Sequence, residues 1–248
     1  MHSSLITRLR YHLQAFAWRF KTASSVKIKG KSSIHKSARM QDCSIFVSKD
    51  SYLEVGEGCV LSGVRINLTN GARLVLKSHS RLIRRDNAVS PIYKIKGGSM
   101  VVGEHSVLAL QCVRVRFGGE LNIGHYVSIN EYSEIRSDER VSIGDYGMIS
   151  YYVRIWDTNV HCLYSPEKRK EQLQACYPNR CTEKERPDTA PVTIGEYVWL
   201  GERTGILKGC QIGNNVIVGF NAVLINRTIP DNMTVVQKPE TILLKRNP

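Results

Sequence analysis

Asp157 and His161 stand four residues apart in the stretch Ile155-Trp156-Asp157-Thr158-Asn159-Val160-His161-Cys162. An imidazole with a pKa of about 6.5 can accept a proton at any cytosolic pH. His161 is therefore a candidate general base, a role worth roughly 10²–10⁴ in rate. A solvated loop histidine is the plainer reading of His161 taken alone. Asp157 either orients that imidazole or contacts a substrate. It follows Asp138 by 19 residues, a separation that acquires meaning from the elements that must carry both.

Those elements are repeats. Ile194, Leu200, Ile206, Ile212, Val218 and Leu224 are six residues apart, and Gly195, Gly201, Gly213 and Gly219 follow four of them. Val198, Thr204, Cys210, Val216 and Ala222 stand four residues after successive aliphatic positions. A period of six does not fit the 3.6 residues of an α-helical turn but accommodates two-residue alternation. Each hexapeptide reads as a short strand plus a turn, with glycine at corners whose backbone angles disfavour a Cβ. The series also runs through Ile123, Ile129 and Ile135, then Ile143, Ile149 and Ile155, and is ragged upstream. Eight residues separate Ile135 from Ile143, which implies a two-residue extrusion at a corner containing Asp138. Three strands closing into a coil of 18 residues put Asp138 and Asp157 on about the same edge of a stacked prism. The expected class is an all-β solenoid with a long excursion over 156–193.

From Ile123 to Pro239 the chain resembles the hexapeptide-repeat acyltransferases, most plainly in "VTIGEYVWLGERTGILKGCQIGNNVIVGFNAVL". The resemblance implies a left-handed parallel β-helix; spacing alone does not give the hand. Within that family the sugar O-acetyltransferases are the most similar, and in them a loop ejected from the helix carries a catalytic histidine. "DTNVH" stands where that loop should begin, which implies His161 as general base with Asp157 beside it. Asn130 and Asp138 match an acceptor-binding pair of the galactoside acetyltransferases, although both residue types also favour turns. Trp199 is implied as an acceptor or cofactor contact, or as packing between subunits. Acetyl-CoA is the implied co-substrate, lying between subunits of a homotrimer against Gly201 and Gly219, with Arg227 and Lys238 near its phosphates. Phe220, Gln237 and Thr241 depart from the family pattern in the donor region. The implied reaction is transfer of an acetyl group to a sugar hydroxyl of a surface polysaccharide or its precursor. The alternatives are an N-acyltransferase acting on a nucleotide-linked amino sugar and a noncatalytic assembly solenoid. A zinc enzyme of the carbonic anhydrase kind would need three converging histidines, and His105, His125 and His161 lack the spacing; no metal is expected.

Composition bounds the remainder. The 248 residues carry a formal net charge of +13, and the first 41 hold nine Lys or Arg and no acid. Such a block favours anionic partners, yet no aromatic-studded strand or recognition helix accompanies it, so nucleic acid is not an expected partner. Residues 5–21 form an amphipathic basic pattern, which either rests on an anionic membrane face or caps the open end of the solenoid. The seven cysteines are scattered without a Cys-x-x-Cys motif, a usage that fits a reducing cytosol better than a disulfide framework. The expected location is cytoplasmic, peripheral on the membrane face if residues 5–21 take the first of those two roles. The expected organisation is a helical segment over 1–24, a β-helix over 25–239 and a basic tail over 240–248. Ser165-Pro166 predicts a helix start inside the excursion, and Lys168, Arg169 and Lys170 on that helix could meet an anionic acceptor.

Overall fold

The computed structural model describes residues 24–85, 89–182 and 184–238. The expected amphipathic helix and the basic tail lie outside the described residues, as does Thr241. Within the described residues the chain winds into three nine-stranded parallel sheets, every third strand joining the same sheet. The first face runs from Ser25–Ile28 to Val223–Leu224, the second from Lys31–Ile34 to Thr228–Ile229, and the third from Arg39–Gln41 to Thr234–Val235. The result is the left-handed parallel β-helix that the hexapeptide pattern implied.

The six-residue period is the rotation from face to face. Ile194 lies on the second face, Leu200 on the third and Ile206 on the first, and all three are buried on the axis. Ile212 and Val218 continue the rotation. Each such side chain contributes about 1.5–3 kcal/mol by leaving water. Val198, Thr204, Cys210, Val216 and Ala222 fill the inner corners and are also buried.

The corner glycines act differently from the expectation. Gly195, Gly201, Gly213 and Gly219 are not among the residues with positive φ. They are small because the next coil is close: a Cβ on Gly195 would stand 2.6 Å from Asn214 Oδ1 and 2.7 Å from the Gly213 carbonyl carbon. Gly195→Ala should therefore cost about 1–3 kcal/mol through overpacking, read as a lower urea midpoint with an unchanged m-value. An unchanged midpoint would show that the two coils part freely.

Along one edge, successive left-handed corner positions are taken by ring side chains. His79, His105, Tyr126, Tyr146 and Tyr197 all have φ between 54° and 60°. Their rings stack in sequence along the edge between the second and third faces, with centroids 4.8 to 5.4 Å apart. Non-glycine residues rarely adopt this backbone region, and aromatic stacking offsets part of its cost.

One corner is opened out. The first-face strand Arg154–Trp156 and the second-face strand Val192–Ile194 are joined by the excursion over 157–191. Its helix spans Pro166–Cys176, is capped by Ser165 and buries no residue, so it stands off the solenoid. Cys176 and Cys181 form a disulfide across the end of this helix, with Cα atoms 5.3 Å apart. This corrects the expectation of unpaired thiols. A turn in which the Asn179 amide donates to the Cys176 carbonyl at 2.7 Å reverses the chain, a local pairing that motif spacing does not announce.

Candidate functional site

The excursion leaves the prism through a zipped neck. Thr158 and Thr189 form an antiparallel bridge. The Asn159 amide donates to the Asp188 carbonyl at 3.0 Å, and the Ala190 amide to the Asp157 carbonyl at 2.9 Å. Arg186 pairs with Glu139 at 3.0 Å, and the Thr189 hydroxyl donates to the same carboxylate. His161 lies just past this neck and is exposed.

Asp157 and Asp138 share one edge, as the 19-residue spacing required, but neither is open to a ligand. Asp157 is fully buried. Its carboxylate accepts the Asp138 and Glu139 amides, each at 2.8 Å, and the Ser137 hydroxyl at 3.2 Å. The two-residue extrusion at Asp138-Glu139 is thus held by the carboxylate of the coil above. Burial raises the Asp157 carboxyl above its ordinary pKa, opposed by the two amide bonds and reinforced by the Asp138 charge. In this arrangement the Asp157 carboxylate holds the backbone of the extruded corner.

Asp138 is likewise fully buried. Arg116 grips it through Nε at 2.9 Å and Nη2 at 2.6 Å, and the Thr158 hydroxyl donates to it at 2.8 Å. A bidentate guanidinium–carboxylate pair is strong and directional, and through it Asp138 anchors the neck. The acceptor-binding expectation for Asp138 comes from the resemblance to the galactoside acetyltransferases; in this chain Arg116, 22 residues earlier and one coil below, covers the carboxylate.

Sequence reasoning missed Val160 altogether. Its φ is +70°, a left-handed conformation that a β-branched residue adopts only under constraint. Both of its backbone groups are held: the amide donates to Thr158 Oγ1 at 3.0 Å, and the carbonyl accepts from Arg116 Nη2 at 3.3 Å. The residue immediately before His161 is therefore locked, through Thr158 and Arg116, onto the same Asp138 carboxylate. The position of Arg116, one coil below the break, is a signal the sequence does carry; the φ of Val160 has none in residue type.

A second group of expected residues sits elsewhere, on the third face. Asn130 and Trp199 line an open depression of about 270 Å³ together with Ser128, Met148, Ile149 and Ser150. Register places Ser128, Met148, Trp199 and Ile217 in one outward column. Met148 is 57% exposed and Trp199 45%, an apolar strip suited to a second subunit or an apolar ligand segment. The Trp199 indole N–H donates to Ser150 Oγ at 3.4 Å.

The expected donor residues divide between the same two edges. Gly201 and Gly219 begin corners after the third face, and Lys238 follows the last strand of that face; Arg227 lies on the edge of the excursion. Gly201 is explained by stacking, since a Cβ there would stand 2.9 Å from the Phe220 amide nitrogen. Phe220 turns outward, 62% exposed, with the Arg203 guanidinium 5.9 Å from its ring. Gln237 caps the last coil, its side-chain oxygen accepting the Val223 amide at 2.8 Å.

The helix cations are partly engaged within the loop. Lys168 lies 3.8 Å from Glu185 and 4.2 Å from the Tyr164 ring centre, and Arg169 donates to the Tyr164 carbonyl at 3.4 Å. His105 is stacked between His79 and Tyr126, and His125 Nδ1 accepts the Glu104 amide at 3.1 Å. Both lie on the edge between the second and third faces, away from His161. Among the described residues no helix is long and apolar enough to cross a membrane.

Comparison with known proteins agrees with the fold. Residues 191–226 match the family described as bacterial transferase hexapeptide (six repeats). Over 158 residues the chain is 32% identical to WbbJ of Escherichia coli (strain K12), whose name as a lipopolysaccharide biosynthesis O-acetyl transferase is itself provisional; the match covers 63% of this chain and 77% of that protein. It is 24% identical over 131 residues to the galactoside O-acetyltransferase of the same organism, covering 53% of this chain and 57% of the enzyme. Among solved structures, the polySia-specific acetyltransferase NeuO superposes with a TM-score of 0.50 at 16% identity, covering 89% of this chain and 79% of that one.

Proposed function

Because the chain belongs to the hexapeptide-repeat acyltransferases, we propose that it transfers an acetyl group from acetyl-CoA to a sugar hydroxyl of a surface polysaccharide or its precursor, with His161 as general base. The observation that carries the reading is the constrained approach to His161. A left-handed Val160, tied at its amide and at its carbonyl, costs of order 1–3 kcal/mol and has a purpose if it aims the next side chain. The name of the WbbJ relative supports the acceptor class, and that of the galactoside enzyme supports a sugar hydroxyl.

The chemistry follows from the residues. The His161 imidazole takes the hydroxyl proton as the sugar oxygen attacks the thioester carbonyl. The tetrahedral intermediate then expels the thiolate, and the imidazolium returns its proton to that sulfur, leaving the acetyl ester and CoA. Backbone N–H donors at a corner are suited to the transient oxyanion.

Two clusters on separate edges also need an explanation. Asn130 and Trp199 on the third face and His161 on the opposite corner meet only if one subunit presents its loop to the third face of another. A homotrimer accomplishes this, and the exposed Met148–Trp199–Ile217 column is apolar enough to be its contact.

Calorimetric titration of the full chain with acetyl-CoA is the direct test. Micromolar binding with about one site per chain, by a species sedimenting as a trimer, is expected. A monomer with no affinity for acetyl-CoA would overturn the donor assignment and the shared site together.

A further inference from the structure

The outward side of the first face is basic over the five strands from Arg65–Thr69 to Arg154–Trp156. Arg65, Lys94, Lys96, Arg114, Arg136 and Arg154 occupy outward positions there. Glu134 is the one carboxylate at an outward strand position of this face among the described residues. It is shared, at 2.8 Å from Arg136, 3.8 Å from Arg114 and 3.9 Å from Arg154.

Parallel register stacks Lys94 on Arg114 and Arg114 on Arg136, about 4.8 Å apart by the interstrand spacing. Like charges directly opposite one another destabilise a sheet. A single carboxylate touching three guanidinium groups does not neutralise this row, and Lys94 stands beyond its reach. The row has a direction as well. In the next coil Arg136 is paired with Trp156, and its guanidinium lies 4.6 Å over the indole ring. Asp157 follows at once, and with it the excursion that carries His161.

We propose that this row is the docking strip for an acidic polysaccharide acceptor, which lies along the solenoid axis with its carboxylates against Lys94, Arg114 and Arg136. The proposal rests on the acyltransferase reading above and names its substrate class. Repeating negative charge on a chain matches a column of cations that repeats with each coil. A chain following the column past Trp156 arrives at the neck, where a hydroxyl of a later sugar unit meets His161. Continuity with the candidate base favours a glycan over a flat anionic membrane, which would engage the face without regard to where the row ends.

The test uses the full chain with polygalacturonate oligomers, with neutral dextran, and with phosphatidylglycerol-containing phosphatidylcholine vesicles as probes. Wild type is expected to bind polygalacturonate, more weakly as salt screens the charges, and not to bind dextran. The double variant Lys94→Gln, Arg114→Gln alters two exposed side chains and should bind polygalacturonate about tenfold more weakly with unchanged affinity for acetyl-CoA. Equal affinity of variant and wild type overturns the proposal, as does wild-type binding to neither glycan. Binding to vesicles without binding to polygalacturonate also overturns it and assigns the strip to a membrane surface. If polygalacturonate binding depends on Lys94 and Arg114 while acetyl-CoA does not bind, the strip stands and the acyl-transfer reading falls.

Discussion

Replacing His161 by alanine is expected to lower kcat/KM for acetyl transfer by about 10²–10⁴ while the solenoid stays folded. The side chain is exposed beyond the neck, and the bonds that close the neck are made by Asp138, Asp157, Thr158, Thr189 and Arg116. Removing the imidazole therefore disturbs none of them. The loss should fall on kcat more than on KM, because a general base acts only as the transition state forms. Acetyl-CoA affinity should be unaltered, which separates a chemical defect from a binding defect. A variant that transfers acetyl groups at a near-normal rate with an unchanged circular dichroism spectrum would remove His161 from the mechanism.

How far the residues announce this molecule depends on distance in the chain. The rotation of Ile194, Leu200 and Ile206 around three faces is legible because one short repeat sets both the strand and the turn. The coil length also predicts that Asp138 and Asp157 share an edge, and their hydrogen bond at 2.8 Å confirms the register. What each aspartate does there was not legible. A carboxylate reads as reactive in a sequence, and only burial reveals that Asp157 holds two amides. Arg116 and Asp138 pair across 22 residues, a partnership that no short motif carries. The aromatic stack did leave a trace, in Gly103-Glu104-His105, Gly124-His125-Tyr126, Gly144-Asp145-Tyr146 and Gly195-Glu196-Tyr197. It was hidden because a left-handed corner predicts glycine or asparagine, and stacking lets rings take the position instead.

Asp157→Ala should be the most damaging single change to the architecture of the site. It leaves the Asp138 and Glu139 amides without the carboxylate that accepts them, and each buried unsatisfied donor costs about 1–3 kcal/mol. The expected loss is roughly 2–5 kcal/mol by urea unfolding, together with faster proteolysis within 157–191 as the neck opens. Activity should fall beyond what the loss of folded protein explains, since Asp138 no longer fixes Thr158, Arg116 and the strained Val160 before His161. Asp157→Asn keeps one acceptor oxygen and should lose less. The pH dependence separates the two variants from wild type. Burial raises the Asp157 pKa above its ordinary 3.8, so the folded chain retains this proton at pH values where the unfolded chain has released it. By linkage, the stability that Asp157 contributes is greatest below the ordinary carboxylate range and declines as pH rises through the raised folded value. The stability gap between wild type and Asp157→Asn should accordingly narrow as pH rises through that window. A gap that widened instead would mean that the charged carboxylate is favoured in the folded state, and that the two amide bonds outweigh its burial.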